Sequence, residues 1–209
     1  MITEDEFYSN LIKRHTKEVH NKINSNKIAI AGIGGLGSYI AVSLARAGIG
    51  GLLLVDFDKV DISNLNRQHY SIKHIGKYKT EALKEQIKEI NPFTDIKTLN
   101  KKVTSYNAAD IFGQYKIVIE AFDIAEQKAM LVNTLLSQCK NTKIISASGM
   151  AGYKSANDII TKKINNRFYI SGDFVTESDN TPLMPPRVMV CAGHEANMAL
   201  RIILDETNP

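Results

Sequence analysis

Residues Ile28–Ala45 constrain the fold more than any other stretch. They form an uncharged run of 18 residues between Lys27 and Arg46, and they hold Gly32, Gly34, Gly35 and Gly37. A single apolar helix of that length would reach across a bilayer. Such a helix would lose about 1 kcal/mol at each glycine relative to alanine. The run therefore reads as a buried strand, a glycine turn and a helix, and no membrane span is expected. Gly32-Ile-Gly34-Gly35-Leu-Gly37 satisfies G-x-G-x-x-G at this strand-to-helix junction. Glycines permit the tight turn and let the backbone approach a phosphate, and the helix start supplies free N–H groups and the positive end of its dipole. A phosphate-bearing ligand is expected there; the competing reading is a turn used only for packing.

The next element sharpens this. Leu52-Leu-Leu-Val-Asp56 is a second continuous apolar strand, and Asp56 at its end can accept hydrogen bonds from ribose hydroxyls. Near-continuous apolar strands separated by a helix mark a parallel sheet covered on both faces. Further strands are expected within 95–104, at Tyr115–Glu120 and at Lys143–Ser148, with helices at Gly35–Ala47, Lys79–Ile90 and Ile124–Cys139. Gly50-Gly51 is expected to stop the first of these helices, and Asn91-Pro92 to end the second. After Gly149 the pattern loosens. Tyr153–Lys162 and Arg167–Ile170 suggest less buried, antiparallel strands, Thr176–Pro186 a polar loop, and Val188–Leu204 a closing helix. Phe7, Leu11, Ile12, Val19 and Ile23 suit one amphipathic helix or two short ones over 1–25. The expected fold is α/β: a doubly wound, Rossmann-like, mostly parallel sheet with antiparallel strands in the C-terminal half, built as a single domain over 1–209.

Composition excludes several classes. The 209 residues are 44% hydrophobic and 23% charged, as in an ordinary globular domain. Twenty-six Lys and Arg against 22 Asp and Glu give +4 with no dense basic run, so nucleic acid is not an expected partner. Cys139 and Cys191 make no CxxC pair, and no metal-ligand spacing appears among His15, His20, His69, His74 and His194. Two isolated thiols without a secretory signal suit a reducing cytoplasm.

The glycine loop and Asp56 alone fit an NAD(P)-dependent oxidoreductase as well as an ATP-using enzyme. The residues that follow separate the two. They are the string Asp56-Phe-Asp58-Lys-Val-Asp-Ile-Ser63-Asn64-Leu65-Asn66-Arg67-Gln68, then Gly76-Lys77-Tyr-Lys79, Asn91-Pro92 and Asp123 after the Tyr115–Glu120 strand. Together these resemble the ThiF/MoeB/HesA family, relatives of the ubiquitin-activating enzymes, over about residues 10–205, with the compact ThiF branch the most similar.

The resemblance implies adenylation of the C-terminal glycine of a ubiquitin-like sulfur carrier with a Gly-Gly tail, such as ThiS. It also implies ATP and Mg²⁺ as cofactors, and a homodimer. Matched residue by residue, Gly34 and Gly35 bring the backbone to the nucleotide and Asp56 holds the ribose. Asn64, Arg67 and Gln68 line the site with Arg67 on the phosphates. Lys79 places a charge at the α-phosphate, Asp123 holds Mg²⁺, and Arg14 reaches the phosphates of a neighbouring subunit. Each has a plainer alternative: a strand-end cap for Asp56, surface pairing for Arg67, a solvated face for Lys79, a helix cap for Asp123, an exposed arginine for Arg14. The chain departs from relatives that carry two CxxC pairs, so no zinc is expected. About Gly172 to Pro186 it has no cysteine to take a carrier as a thioester; Cys191 opens an apolar helical stretch and reads as a buried structural thiol. Ile124 stands where relatives usually have Asn. Other carriers, including a molybdopterin-type one, a tRNA-bound carboxylate, and a nucleotide-binding scaffold without turnover are the remaining readings.

Overall fold

The computed structural model describes residues 2–177 and 181–209. The N-terminal segment is two helices, α1 (Glu4–His15) and α2 (Lys17–Asn24). Thr3 and Glu6 form a reciprocal capping box at the start of α1, and the chain breaks at Thr16, whose φ of 70° no helix can continue. Strand β1 (Lys27–Ala31) then leads through the glycine turn into α3 (Gly35–Arg46), and β2 (Gly51–Val55) follows. Helix α3 is stopped by Gly48 at φ +83°, where a Cβ would lie 2.9 Å from Leu11 Cδ1, rather than by Gly50-Gly51; Gly51 already belongs to β2.

Helix α4 (Lys79–Ile90) ends at Asn91, as its Asn-Pro signal predicts. Then come β3 (Asp95–Leu99), α5 (Ala108–Phe112), β4 (Ile117–Glu120), α6 (Ala125–Gln138) and β5 (Lys143–Ala147). Helix α5 is only five residues long and carries no extended period in the sequence. The predicted strand at Tyr153 does not start there. Ser155 accepts a hydrogen bond from Asn157 N–H and turns the chain into a 3-10 segment, Ala156–Asp158, so β6 begins at Ile160 and runs to Asn165. Strand β7 is Phe168–Gly172. The last helix, α7 (Pro185–Ile203), starts earlier than the apolar pattern suggests because two prolines occupy its first positions, where their missing N–H groups would have had no partner. The predicted polar loop Thr176–Pro186 includes residues 178–180, which lie outside the described residues.

The seven strands lie in the order β3-β2-β1-β4-β5-β7-β6. Every neighbouring pair is parallel except β6–β7, so one edge strand alone runs against the sheet. From β1 the chain winds outward to β2 and β3, then returns to place β4 on the other side of β1. That reversal makes the gap between the ends of β1 and β4 the topological switch point, where open α/β sheets hold ligands. Ile30, Leu54 and Ile119 face α3 and α7 on one side of the sheet; Ala31, Val55 and Val118 face α5 and α6 on the other. No helix among the described residues is long and apolar enough to cross a membrane.

One buried group is poorly matched to this core. Glu195 on α7 is fully buried, and neither carboxylate oxygen has a hydrogen-bond partner among the described residues. Burial pushes its pKa well above the usual carboxylate value, against the opposing pull of Lys128. Because the folded pKa lies above the unfolded one, the stabilising contribution is present in acid and is lost as pH rises through the folded value. Glu195→Gln is therefore expected to raise Tm relative to the parent at pH 8 and to converge with it near pH 4. Melting curves across that range check it; a Tm difference constant with pH would contradict the assignment.

Candidate functional site

The site is built where β1, β2 and β4 end. Gly32 takes φ +83°, and a Cβ there would sit 2.9 Å from both Ala121 O and the Phe122 ring. The chain can turn there only as glycine, and the turn rests on the segment that follows β4. Gly37 is tighter still, since a Cβ would approach Gly32 O to 2.0 Å. Gly34 caps α3 with no side-chain hydrogen bond, leaving the first N–H groups of the helix facing the crevice.

Asp56, at the end of β2, braces this turn. Its Oδ2 accepts from Ile33 N–H at 2.9 Å, and its Oδ1 accepts from Asp58 N–H at 2.9 Å. Burial pushes its carboxyl above the usual range, opposed by Lys79 and by the two N–H donors. The strand-end role is therefore seen, and each oxygen keeps further lone pairs that could accept from a ligand.

The polar stretch after β2 folds as a loop over the glycine turn. Asn64 sits in the 3-10 segment Ile62–Asn64, where its Oδ1 accepts from Asp61 N–H at 3.0 Å, so its side chain shapes the loop. Arg67 Nη1 donates to Ser63 O at 3.1 Å and to Asn66 Oδ1 at 2.9 Å, and the Arg67 backbone lies against Gly35. Its guanidinium has no carboxylate partner among the described residues. Gln68 is buried beside Gly34, with its Oε1 unpartnered among them. Tyr70 ties the parts together by donating its hydroxyl to Ile33 O at 2.7 Å.

Lys79 is not on a solvated face. It is 7% exposed, at the first position of α4, and its Nζ pairs with Asp58 Oδ2 at 2.8 Å while its N–H donates to Asp58 O. Asp58 is thus part of the site, and the spacing Asp56-x-Asp58 at a strand end is the signal that points to it. Asp123 follows β4, exposed, with no side-chain hydrogen bond to a described residue. Ile124, not Asp123, is the N-cap of α6, and no side chain caps that helix. The structure therefore brings together Gly32, Gly34, Gly35, Gly37, Asp56, Arg67, Gln68 and Lys79, and Asp123 lies one residue beyond the Phe122 that faces Gly32. Arg14 is not among them. Helix α1 packs through Leu11 on Gly48 and through Phe7 and Tyr8 on Phe93, at the edge where β2 and β3 begin.

Two further segments stand over the crevice. Gly152 N–H donates to Pro182 O at 2.7 Å, and Asn66 Nδ2 reaches Leu183 O at 3.5 Å. Arg187, 3% exposed in the first turn of α7, pairs with Asp173 and donates to Ser155 O, locking these segments to the helix. Cys191 is fully buried one turn on, with its thiol toward Ser171 O, and burial pushes its pKa far up. A thiol so placed stays protonated and inert; iodoacetamide is expected to leave it unlabelled in the folded protein, and rapid labelling would show that the helix opens. No cluster of three or more His, Cys, Asp or Glu able to hold a metal occurs among the described residues.

Comparison with known proteins agrees with this architecture. The model of the ThiF family matches residues 8–209. The chain is 34% identical over 149 residues to the tRNA threonylcarbamoyladenosine dehydratase of Haemophilus influenzae, covering 69% of this chain and 56% of that protein. It is 37% identical over 132 residues to the molybdopterin-synthase adenylyltransferase of the same organism, covering 62% of this chain and 52% of that one. The chain thus spans about half the length of these relatives. Among solved structures, the Escherichia coli dehydratase TcdA in complex with ATP superposes with a TM-score of 0.86 at 21% identity, covering 99% of this chain and 98% of that one. At that identity the likeness speaks to the fold.

Proposed function

The chain belongs to the ThiF family of adenylyltransferases related to ubiquitin-activating enzymes, and from that premise we propose that it uses ATP to adenylate a carboxylate carried by a macromolecule. The observation that carries this reading is the pair of cations, Arg67 and Lys79, set beside the glycine turn and Asp56 at the switch point. A nicotinamide enzyme would account for the turn and Asp56 and leave both cations without a role.

The reaction needs no protein nucleophile. The substrate carboxylate attacks the α-phosphorus, an acyl–O–P bond forms, the bond to the β-phosphate oxygen breaks, and pyrophosphate leaves. The obstacle is an anion approaching a polyanion, so positioning and fixed positive charge supply the catalysis. The N–H groups of the glycine turn and α3 hold phosphate oxygens. Asp56 accepts from the ribose. Arg67 swings its planar fork from Ser63 O onto the phosphates. Lys79, held at its place by Asp58, stabilises charge on the α-phosphate. Asp123, an exposed carboxylate with no competing partner, fits Mg²⁺, which takes one or two carboxylates and keeps its waters, and which would offset charge on the leaving pyrophosphate.

The carboxylate we favour is the C-terminal glycine of a ubiquitin-like sulfur carrier with a Gly-Gly tail, ThiS being the specific candidate. Its tail would pass between the glycine turn and the segments around Met150–Tyr153 and Leu183. In a homodimer, Arg14 would serve the neighbouring subunit's phosphates, since α1 lies away from its own site. A second reading, a carboxylate borne on tRNA, is favoured by the dehydratases among the relatives.

ATP–pyrophosphate exchange tests both. With Mg-ATP and labelled pyrophosphate, exchange is expected to depend on a Gly-Gly carrier. Arg67→Ala and Asp123→Ala are each expected to reduce it by about 100-fold or more. Exchange stimulated by tRNA alone would select the second reading, and exchange unaffected by either substitution would overturn the residue assignments.

A further inference from the structure

Beside the site lies a buried charge cluster that the proposed chemistry does not use. Glu120, the last residue of β4, has no exposed surface. Its Oε1 accepts from Phe122 N–H at 2.7 Å and from Lys128 Nζ at 3.1 Å, and its Oε2 accepts from the Ser146 hydroxyl. Lys128, on the first turn of α6, also lies 3.0 Å from Glu120 Oε2 and donates to Phe122 O at 2.9 Å. Both backbone polar groups of Phe122 are thus held by one ion pair.

Stability is a weak reason for this arrangement. Burying two charges costs desolvation that their attraction repays only with good geometry, and apolar replacements are often as stable. The position of the clamp suggests another role. Phe122 immediately precedes Asp123, and its ring together with Ala121 O forms the wall on which Gly32 rests. The cluster therefore joins the two halves of the switch point, the glycine turn after β1 and the carboxylate after β4.

We propose that the Glu120–Lys128 pair is a positioning device: by holding both peptide groups of Phe122 it sets Asp123 relative to the glycine turn. It rests on the adenylation reading for its kinetic consequence, but its geometric consequence does not. Lys128→Met removes the charge and its hydrogen bonds to Glu120 and Phe122 O; Lys128→Arg keeps the charge and can donate to both. In the full-length protein, the Phe122 amide is expected to exchange with deuterium at least about 10-fold faster in Lys128→Met and near the parent rate in Lys128→Arg. Mn²⁺ affinity in the presence of an ATP analogue, read by electron paramagnetic resonance, is expected to fall about 10-fold in Lys128→Met, as when a partner behind a metal ligand is lost, and to recover with arginine. Pyrophosphate exchange should fall in kcat with little change in KM for the carboxylate substrate. If Lys128→Met melts too low to assay, Lys128→Met combined with Glu120→Gln, which leaves neither member of the pair as an unpaired charge, carries the same expectations. A folded variant with unchanged Phe122 exchange and unchanged Mn²⁺ affinity would overturn the proposal. If the parent protein catalyses no exchange with any carboxylate, the adenylation reading fails, and the Phe122 amide still decides the clamp.

Discussion

Lys79→Met is expected to lower the rate of carboxylate-dependent ATP–pyrophosphate exchange by about 10²–10³-fold, the usual cost of losing one preorganised group aimed at developing charge. The expectation follows from the surroundings of Lys79. It is buried at the start of α4, within reach of Asp58 and close enough to Asp56 to oppose the upward push that burial gives that carboxyl's pKa. A charge fixed in so dry a place is worth far more to a phosphate than one on a solvated face. Methionine keeps the stem and removes only the charge. The Asp58 carboxylate left behind is about half exposed, so water compensates it and the fold tolerates the change. ATP affinity should fall much less than kcat, since the charge acts where the carboxylate arrives. Steady-state exchange with varied ATP and carrier separates the two; a rate within about threefold of the parent would show that Lys79 is only a buried helix-start residue.

Gly37→Val carries the largest expected structural effect. Its Cβ would press on Gly32 O at 2.0 Å, and Gly32 cannot retreat because Ala121 O and Phe122 stand behind it. Relief requires opening the turn, at a cost of about 3 kcal/mol, and an opened turn no longer aims its N–H groups at a phosphate. Nucleotide affinity is expected to drop by about 100-fold or more in isothermal titration. Gly193→Ala is the control. It lies on α7 with nothing within 4 Å of a Cβ, so it should raise stability by about 0.5–1 kcal/mol and leave nucleotide binding alone. Equal effects from the two substitutions would contradict the role given to the turn.

What the sequence discloses and what it hides follow from the range over which each feature is encoded. The β1 strand, the glycine turn, α3 and Asp56 are written in consecutive residues, and the structure places them as the pattern predicts. The stop of α3 is also local, yet three glycines lie within four positions and only the backbone shows that Gly48 takes the left-handed conformation. Helix α5 is too short to display a period, and the start of β6 depends on a Ser155 turn that competes with the strand. Features that depend on distant partners are hidden altogether. Lys79 stands among lysines in the sequence, and only the fold distinguishes it, by burying it against Asp58, 21 residues earlier. Asp123 is a natural helix cap in the sequence, and only the structure shows the N-cap to be Ile124. The Glu120–Lys128 clamp crosses from a strand to a helix and leaves no periodic trace.

Whether this site joins a substrate carboxylate to the α-phosphorus of ATP is tested most directly by following an oxygen atom. A Gly-Gly carrier labelled with ¹⁸O in its terminal carboxylate is incubated with the protein and Mg-ATP, and hydroxylamine is added to cleave the acyl group. Attack by the carboxylate makes its oxygen the bridge to phosphorus, so the AMP released must carry ¹⁸O alongside pyrophosphate. AMP free of label, or ADP and phosphate in place of AMP and pyrophosphate, would contradict the account.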